Sequence, residues 1–221
     1  MRRKGTKKEA ASKRLRVLIT AGPTREYLDP VRYLSNDSSG RMGFALASAA
    51  HTLGCEVTLV TGPVSLLTPE GSRRIDVISA RQMHREVMRL APRANIIVMA
   101  AAVSDFRPER QLRHKIKRAA GRSRVRTLAL KDNPDILAQL GKKKRKDQIL
   151  VGFAVETKDL EKNARRKLKQ KGCDWIVANL AKSIGALSSR ALLIHRNGQK
   201  IALPHLLKEN LAFLILSHIL V

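Results

Sequence analysis

The sequence predicts an α/β fold with a doubly wound, mostly parallel, Rossmann-like sheet and a small antiparallel hairpin near the C-terminus. Short apolar segments alternate with helical ones through the first hundred residues, an order typical of a parallel sheet covered by helices on both faces. The segment 95–103 is continuously apolar from Ile96 onward, as expected of a strand buried on both sides. Asn197-Gly198 lies between two apolar runs and is a strong hairpin signal.

Strands are predicted where short apolar runs end at turn residues, namely at 15–21, 56–61, 75–78, 95–103, 149–153, 175–178, 191–195 and 200–203. Helices are predicted at 40–53, 81–89, 134–140, 159–170 and 209–219. The first helix opens with Ser38-Ser39-Gly40, which offers a hydroxyl cap, and Gly54 is placed to end it. Pro134 is expected in the first turn of the third helix, where the missing N–H has no helical partner.

Composition excludes several classes of protein. The 221 residues carry 44 Lys+Arg against 18 Asp+Glu, a net charge of +26, but 43% are hydrophobic, too many for a disordered basic protein. Only 3% are aromatic, so we expect nucleic acid binding only non-specifically, if at all. The short apolar runs lead us to expect no membrane partner. Two cysteines cannot form a disulfide framework, and no apolar run approaches the roughly 20 residues that span a bilayer. We expect a cytoplasmic protein, in which a flexible basic arm (1–14) precedes a single domain (15–221).

Chemistry is expected in the loops that follow strands, because ligands bind at the carboxyl ends of strands in doubly wound sheets. The loop after the first strand is long and lacks the G-x-G-x-x-G spacing of a dinucleotide fingerprint. It leads into Ser38, Ser39, Gly40 and Gly43, which form a helix N-terminus able to receive an anion.

The same loop contains two candidates for polar contacts to a substrate, Arg32 and Asn36. A purely structural interpretation is equally open, in which Asn36 caps a turn and Arg32 pairs with Asp29. No cluster of His or Cys has the spacing of a metal site, so no metal-ligating residue is predicted.

A second candidate segment follows the apolar run at 95–103. Its small residues, Met99 to Ala102, would let a bulky ligand lie against the backbone, and Asp105 could contact a hydroxyl or a metal-bound phosphate. Further on, Lys115 and Lys117 share one face of an extended segment while Ile116 points inward. That pattern suits a flap over phosphates, although a solvated basic loop explains it as well.

Two more segments offer groups to the same sheet edge. The turn at 133–136 opens a helix whose first N–H groups lack helical partners and can face a nucleotide. Phe153 ends a strand, and Lys167 and Lys171 lie four apart on one helix face.

The motifs themselves resemble those of phosphopantothenoylcysteine synthetases. The segments are ITAGPTRE (19–26), DPVRYLSNDSSGRMG (29–43), AAVSDF (101–106), KIKR (115–118), NPDI (133–136) and GFAVET (152–157). The resemblance extends over roughly residues 15–220, and in many bacteria this domain is the C-terminal half of a bifunctional coenzyme A biosynthesis protein. It implies a nucleotide-binding ligase domain that joins 4′-phosphopantothenate to L-cysteine through an acyl-cytidylate, with CTP as co-substrate and Mg²⁺ on the triphosphate.

The resemblance also implies roles for individual residues. Lys115 would stabilise the nucleotidyl-transfer step, and Asn36 would act on the acyl intermediate, assisted by Arg32 and the backbone of Ala102. The family's nucleotide contacts correspond to Met99, Ala100, Ala101, Asp105, Lys115, Pro134, Asp135, Ile136, Leu137, Phe153, Lys167 and Lys171.

The chain departs from the family pattern in two ways. Arg118 stands where the family flap usually ends in lysine, which keeps the charge and changes its shape. The flavin-dependent decarboxylase half is not in these 221 residues, so a separate decarboxylase partner is expected. The resemblance also implies a homodimer.

Two other functions remain open from the sequence. An NAD(P)-linked reductase is disfavoured by the missing glycine fingerprint. A nucleotide- or nucleic-acid-binding module without catalysis is disfavoured by the presence of both Asn36 and Lys115. Relatives of a second type use ATP, and the AVSDF and KIKR segments resemble the CTP-dependent type.

Overall fold

A computed structural model describes residues 14–117 and 127–220, which form an α/β fold around one eight-stranded sheet. The strands are β1 Arg16–Ala21, β2 Arg25–Tyr27, β3 Tyr33–Ser35, β4 Glu56–Thr61, β5 Ser72–Asp76, β6 Ile96–Met99, β7 Phe106–Pro108, β8 Leu130–Asp132, β9 Ile149–Glu156, β10 Trp175–Leu180, β11 Ser188–His195 and β12 Lys200–Leu207. The α-helices are α1 Arg41–Thr52, α2 Ala80–Leu90, α3 Ile136–Lys143, α4 Leu160–Lys171 and α5 Lys208–Leu220.

The large sheet has the order β12-β11-β10-β9-β6-β1-β4-β5. Its strands β10, β9, β6, β1, β4 and β5 pair in parallel, whereas β11 and β12 add an antiparallel edge. The chain winds outward from β1 to β4 and β5, then returns to the other side of β1 with β6. The loops after β1 and β6 therefore leave in opposite directions, and a doubly wound sheet has its ligand crevice at such a switch point.

Helices cover both faces of this sheet, as the sequence predicts. Along β1, Val17 and Ile19 pack with α1 and α5 in one buried cluster, while Leu18 packs with α2, α3 and α4 in the other. This alternation follows from the two-residue period of a strand. Since both faces are buried, the central strands are apolar throughout and the polar groups of the sheet lie at its ends.

Several predicted elements differ in their bounds from the observed ones. The strand predicted at 95–103 is Ile96–Met99, because the chain leaves the sheet after Met99 to form the loop that bridges to Pro23. The third strand is Ser72–Asp76 rather than 75–78, because this edge strand is polar and its apolar pattern is weak. Helix α3 begins at Ile136, and Pro134 precedes it, because Asp135 caps the helix by accepting from the Ala138 N–H at 2.9 Å. The hydroxyl cap expected for α1 is not made; Gly40 is the N-cap residue and no side chain caps it.

The small hairpins β2–β3 and β7–β8 were not predicted from the sequence, whereas the hairpin of β11 and β12 around Gly198 was. No helix in the described ranges is long and apolar enough to cross a bilayer. The basic arm, apart from Arg14, and Arg118 lie outside the described residues.

Candidate functional site

The site is built where the loops after β1 and β6 meet. Pro23 forms a parallel bridge with Ala102, whose N–H donates to the Gly22 carbonyl at 2.9 Å. The buried Thr24 hydroxyl accepts from the Ser104 N–H at 3.0 Å. The loop after β4 supports this junction from behind, since Gly62 N–H donates to the Ala21 carbonyl at 3.0 Å. Backbone hydrogen bonds, together with the Thr24 hydroxyl, thus hold the loops together at the switch point.

Asn36 lies directly beside this junction. Its side-chain Nδ2 donates to the Ala102 carbonyl at 3.0 Å, so the amide bridges the loops after β1 and β6. The amide is exposed and remains accessible to a ligand. The two residues that the sequence pairs in the second reaction step, Asn36 and Ala102, are therefore in direct contact.

The start of α1 forms one wall of the site. Gly40 has φ +75°, a left-handed conformation that favours glycine, and its carbonyl accepts the first helical bond from Phe44 N–H at 3.2 Å. The N–H groups that precede that bond have no capping side chain among the described residues. Gly43 brings the helix against β1, because a Cβ at this position would lie 2.5 Å from the Ala21 Cβ.

Two adjacent cavities occupy this edge of the sheet. The first, about 430 Å³, is lined by residues 36–43, 100–103 and 183–185, and by Asp105, Phe153, Val155, Lys167, Asn179 and Lys208. The second, about 360 Å³, is lined by residues 103–106 and 132–137, and by Met99, Ala101, Phe153, Lys167 and Lys171. They share a wall made of Ala101, Val103, Asp105, Phe153 and Lys167. A ligand in one cavity would therefore lie next to a ligand in the other.

The floor of the second cavity carries cations from α4. Lys167 donates from Nζ to the Phe153 carbonyl at 2.7 Å, and its burial lowers the pKa of the ammonium. Lys171 forms an ion pair with Asp135. Partial burial opposes ionisation of Asp135, but the Lys171 ammonium and the Ala138 N–H outweigh it and hold the pKa of this carboxyl below its usual range. The cavity therefore presents two ammonium groups and the start of α3.

The extended segment 115–117, called the flap segment here, is anchored to the loop after β1 through Asp29. This fully buried carboxylate accepts from the Ile116 N–H at 3.0 Å and from the Arg32 guanidinium at 2.7 Å, and Arg32 also donates to the Ile116 carbonyl at 3.1 Å. The Ile116 N–H, opposed by burial and aided by Arg32 and Val31, lowers the pKa of Asp29 to about 2. The pairing of Arg32 with Asp29, which the sequence left open, is thus present. Ile116 is partly buried, and Lys115 is exposed beside it, as the two-residue period predicts.

The structure gathers most of the predicted site residues around the two cavities. The phosphate-binding candidates Ser38, Ser39, Gly40 and Gly43 line the first cavity together with Asn36, Ala100 and Ala102. The nucleotide-binding candidates in the second cavity are Met99, Ala101, Asp105, Pro134, Asp135, Ile136, Leu137, Phe153, Lys167 and Lys171. Arg32 and Lys115 line neither cavity and are joined to the site through Asp29 and Ile116.

Three polar residues of the first cavity were missed from the sequence: Asn179, Ser183 and Lys208. A signal existed for Asn179, because β10 is parallel to β9 and ends at the same edge. Lys208 gave no local signal, since its position depends on the packing of α5 against α1. In the described ranges, no group of three or more His, Cys, Asp or Glu side chains is placed to hold a metal ion.

Comparison with known proteins assigns this arrangement to a family. Residues 12–221 match the model of the DNA/pantothenate metabolism flavoprotein C-terminal domain. The chain is 46% identical over 208 residues to the coenzyme A biosynthesis bifunctional protein CoaBC of Bacillus subtilis, covering 92% of this chain and 50% of the relative. It is 43% identical over 211 residues to CoaBC of Escherichia coli K12, covering 94% and 52% respectively.

A solved structure agrees with these relatives in fold. The crystal structure of the C-terminal domain of a CoaBC protein superposes with a TM-score of 0.79 at 37% identity and covers 93% of both chains. The chain spans about half the length of the curated relatives it matches. The chain therefore belongs to the family of DNA/pantothenate metabolism flavoprotein C-terminal domains and is similar to the C-terminal domain of CoaBC, as its motifs predicted.

Proposed function

We propose that this protein joins 4′-phosphopantothenate to L-cysteine in coenzyme A biosynthesis, using CTP to activate the carboxylate. The observation that carries the proposal is the shared wall between the two cavities. A ligase of this kind must hold a nucleotide and an acid so that the acid's carboxylate reaches the α-phosphorus. Two cavities with a common wall, which carries the carboxylate of Asp105 and the ammonium of Lys167, meet that need.

The second cavity is proposed to hold the nucleotide. The small side chain of Ala101 leaves room for the flat base and ribose beside Met99, and the N-terminus of α3 offers free N–H groups. Lys167 and Lys171 contribute cations, and Lys171 is paired with Asp135. Ser38, Ser39, Gly40 and Gly43 at the start of α1 are proposed to bind phosphate in the first cavity.

In the first chemical step, an oxygen of the 4′-phosphopantothenate carboxylate attacks the α-phosphorus of CTP. The bond to the β-phosphate oxygen breaks, and an acyl-cytidylate and pyrophosphate result. Negative charge builds up on the phosphates as pyrophosphate leaves, and cations fixed beside it lower the barrier. Lys115 is proposed to supply such a cation from the flap segment, whose base is held by Asp29 and Arg32.

In the second step, the amine of L-cysteine attacks the acyl carbon, and the bond to the CMP oxygen breaks. The amine loses a proton as the amide forms, and CMP leaves. Asn36 is proposed to act here, because its Nδ2 lies at the Ala102 carbonyl beside the shared wall and can donate to a developing oxyanion. Arg32 acts indirectly through its contact with the flap.

Mg²⁺ is proposed to arrive with the triphosphate. Protein-bound Mg²⁺ often needs only one or two carboxylates besides phosphate and water ligands, and Asp105 on the shared wall supplies one. When bound, the ion neutralises phosphate charge and orients the triphosphate.

A single assay tests the reaction. Purified protein is incubated with Mg²⁺, 4′-phosphopantothenate and L-cysteine, plus either CTP or ATP, and the nucleotide products and pyrophosphate are quantified. We expect CMP, pyrophosphate and the amide in equal amounts, with ATP much less effective. AMP in place of CMP would replace CTP by ATP in the proposal. No nucleotide turnover, with tight binding of NADPH, would instead favour the reductase.

We also propose a homodimer and a separate decarboxylase partner. The relatives are described as bifunctional, and the chain spans about half of their length. The family resemblance supports a homodimer and a decarboxylating partner. Copurification of the chain from its native source tests the association. Recovery without any flavoprotein would count against the partner, and sedimentation as a single chain would count against the dimer.

A further inference from the structure

A buried lysine lines the first cavity opposite the motif residues. Lys208, the first residue of α5, is only 5% exposed. Its Nζ donates to one neutral acceptor, the Ser183 carbonyl at 3.2 Å, and in the described part of the chain no carboxylate lies within ion-pairing distance. Ionised side chains are rarely buried without an opposite charge, because desolvation is costly. The protein alone does not compensate this one.

The surroundings of Lys208 disfavour its charged form further. Lys208 occupies the N-terminal end of α5, where the helix dipole disfavours a cation. Burial lowers the pKa of its ammonium, the nearby Arg41 guanidinium lowers it further, and Glu209 only partly opposes them. Arg41 in turn begins α1, whose first turn has no acidic residue and no capping side chain. Two helix starts and two cations thus converge on one cavity.

Other polar groups at this end of the cavity show that it is a built site. Asn179 donates from Nδ2 to the Ser183 hydroxyl at 2.5 Å, so Asn179 and Lys208 are joined through one buried serine. The Oδ1 of Asn179 is buried and has no hydrogen-bond partner in the described residues.

We propose that Lys208 binds a phosphate group held at the start of α1. A phosphomonoester carries up to two negative charges and a triphosphate carries more, and the paired cations and the free N–H groups of α1 can accept such an anion together. The inference rests on the proposed function, which supplies two sources of this chemistry: the triphosphate of the nucleotide and the phosphomonoester of 4′-phosphopantothenate. Bound there, the anion also supplies the opposite charge that Lys208 lacks.

Binding measurements on two charge-removing variants test this role. Lys208→Met preserves the length of the side chain, and Lys208→Gln retains a donor for the Ser183 carbonyl. Lys162→Met removes an exposed lysine of α4 and serves as the control. The probes are inorganic tripolyphosphate with Mg²⁺ and 4′-phosphopantothenate, followed by calorimetry and by thermal unfolding with and without each probe.

We expect both Lys208 variants to bind at least one probe about tenfold or more weakly, since charge-assisted hydrogen bonds are worth that much or more. Weakening toward tripolyphosphate alone identifies the nucleotide as the source, and weakening toward 4′-phosphopantothenate alone identifies the substrate. We also expect the ligand-free Tm of Lys208→Met to match or exceed the wild-type value, because a buried unpaired charge is removed. Lys162→Met should behave as wild type.

Two results would contradict the role of Lys208, and a third would also contradict the proposed function. If both variants bind both probes with wild-type affinity, Lys208 is not a phosphate ligand. A lower ligand-free Tm with unchanged affinities would show a structural role instead. If the wild-type protein itself binds neither probe, the proposed function fails together with this inference.

Discussion

The side-chain amide of Asn36 donates to the carbonyl of Ala102 over 3.0 Å, and this bond spans the point where the sheet reverses its winding. Asn36 belongs to the loop after β1 and Ala102 to the loop after β6. Because the contact fixes the amide beside the wall common to both cavities, an acyl group formed there would meet a preplaced donor. The proposed mechanism predicts that substitutions of different residues slow different reaction steps.

Lys115→Gln should stop the first step. The substitution keeps a polar side chain of similar size and removes the charge that the proposal places on the departing pyrophosphate. Loss of one such stabilising group costs about 10²–10³ in rate, so pyrophosphate release should fall by about that factor. A coupled pyrophosphate assay measures it, with Lys131→Gln, an exposed residue of β8, as the control. A variant that releases pyrophosphate at the wild-type rate would remove Lys115 from the mechanism.

Asn36→Asp should separate the two steps. A carboxylate cannot donate to the Ala102 carbonyl and places negative charge where the oxyanion develops, so the attack of the amine should slow by about 10²-fold or more. Pyrophosphate should still be released, and the acyl-nucleotide should accumulate and be visible by mass spectrometry. Asn210→Asp, exposed on α5, is the matched control. Absence of the intermediate together with loss of pyrophosphate release would contradict this division of roles.

Gly43→Ala should loosen the wall formed by α1. An added Cβ would lie 2.5 Å from the Ala21 Cβ and 3.0 Å from the Thr20 carbonyl oxygen, so the helix must move away from β1. Overpacking of this kind costs about 1–3 kcal/mol in the free energy of unfolding, measurable by urea denaturation. Ser48→Ala on the exposed face of the same helix should change it by less than about 0.5 kcal/mol. Equal stabilities for the two variants would show that α1 does not depend on this close approach.

Much of the fold was predictable because strands that are buried on both faces of a sheet appear in the sequence as continuous apolar runs. Strand β4 matches its predicted bounds at 56–61, and β10 and α4 differ from theirs by no more than two residues at either end. Strand β5 was shifted, because an edge strand reading SRRID carries almost no apolar signal. The hairpin at Gly198 was found because its turn residues are specific.

The site also contains residues that local sequence patterns predict and residues that they do not. The segments around Asn36, Asp105 and Pro134 were found because each follows a strand or opens a helix at one edge of a parallel sheet. Lys208 was missed, since its approach to the start of α1 is a tertiary contact between residues far apart in the chain and no local pattern reports it. The Asp29 anchor was seen only as one alternative for Arg32, because the contact with Ile116 bridges 87 positions.

Asp29→Asn should release the flap and change how stability depends on pH. The folded protein lowers the pKa of Asp29 to about 2, so the ionised carboxylate stabilises the fold fully above its usual pKa of 3.8, and this contribution is lost as pH falls toward 2. Asparagine cannot ionise, and the other carboxylates titrate alike in both proteins. The difference in the free energy of unfolding between wild type and variant should therefore shrink between about pH 4 and pH 2.

Urea denaturation at a series of pH values measures this difference, and Asp76→Asn, an exposed partner of Arg74, is the control expected to show little pH dependence. At neutral pH, Asp29→Asn should also slow pyrophosphate release by about tenfold or more, because the flap loses its anchor and Lys115 its position. A stability difference that stays constant from pH 6 to pH 2.5 would show that the carboxylate charge does not hold Ile116. Unchanged pyrophosphate release would show that the flap needs no such anchor for the reaction.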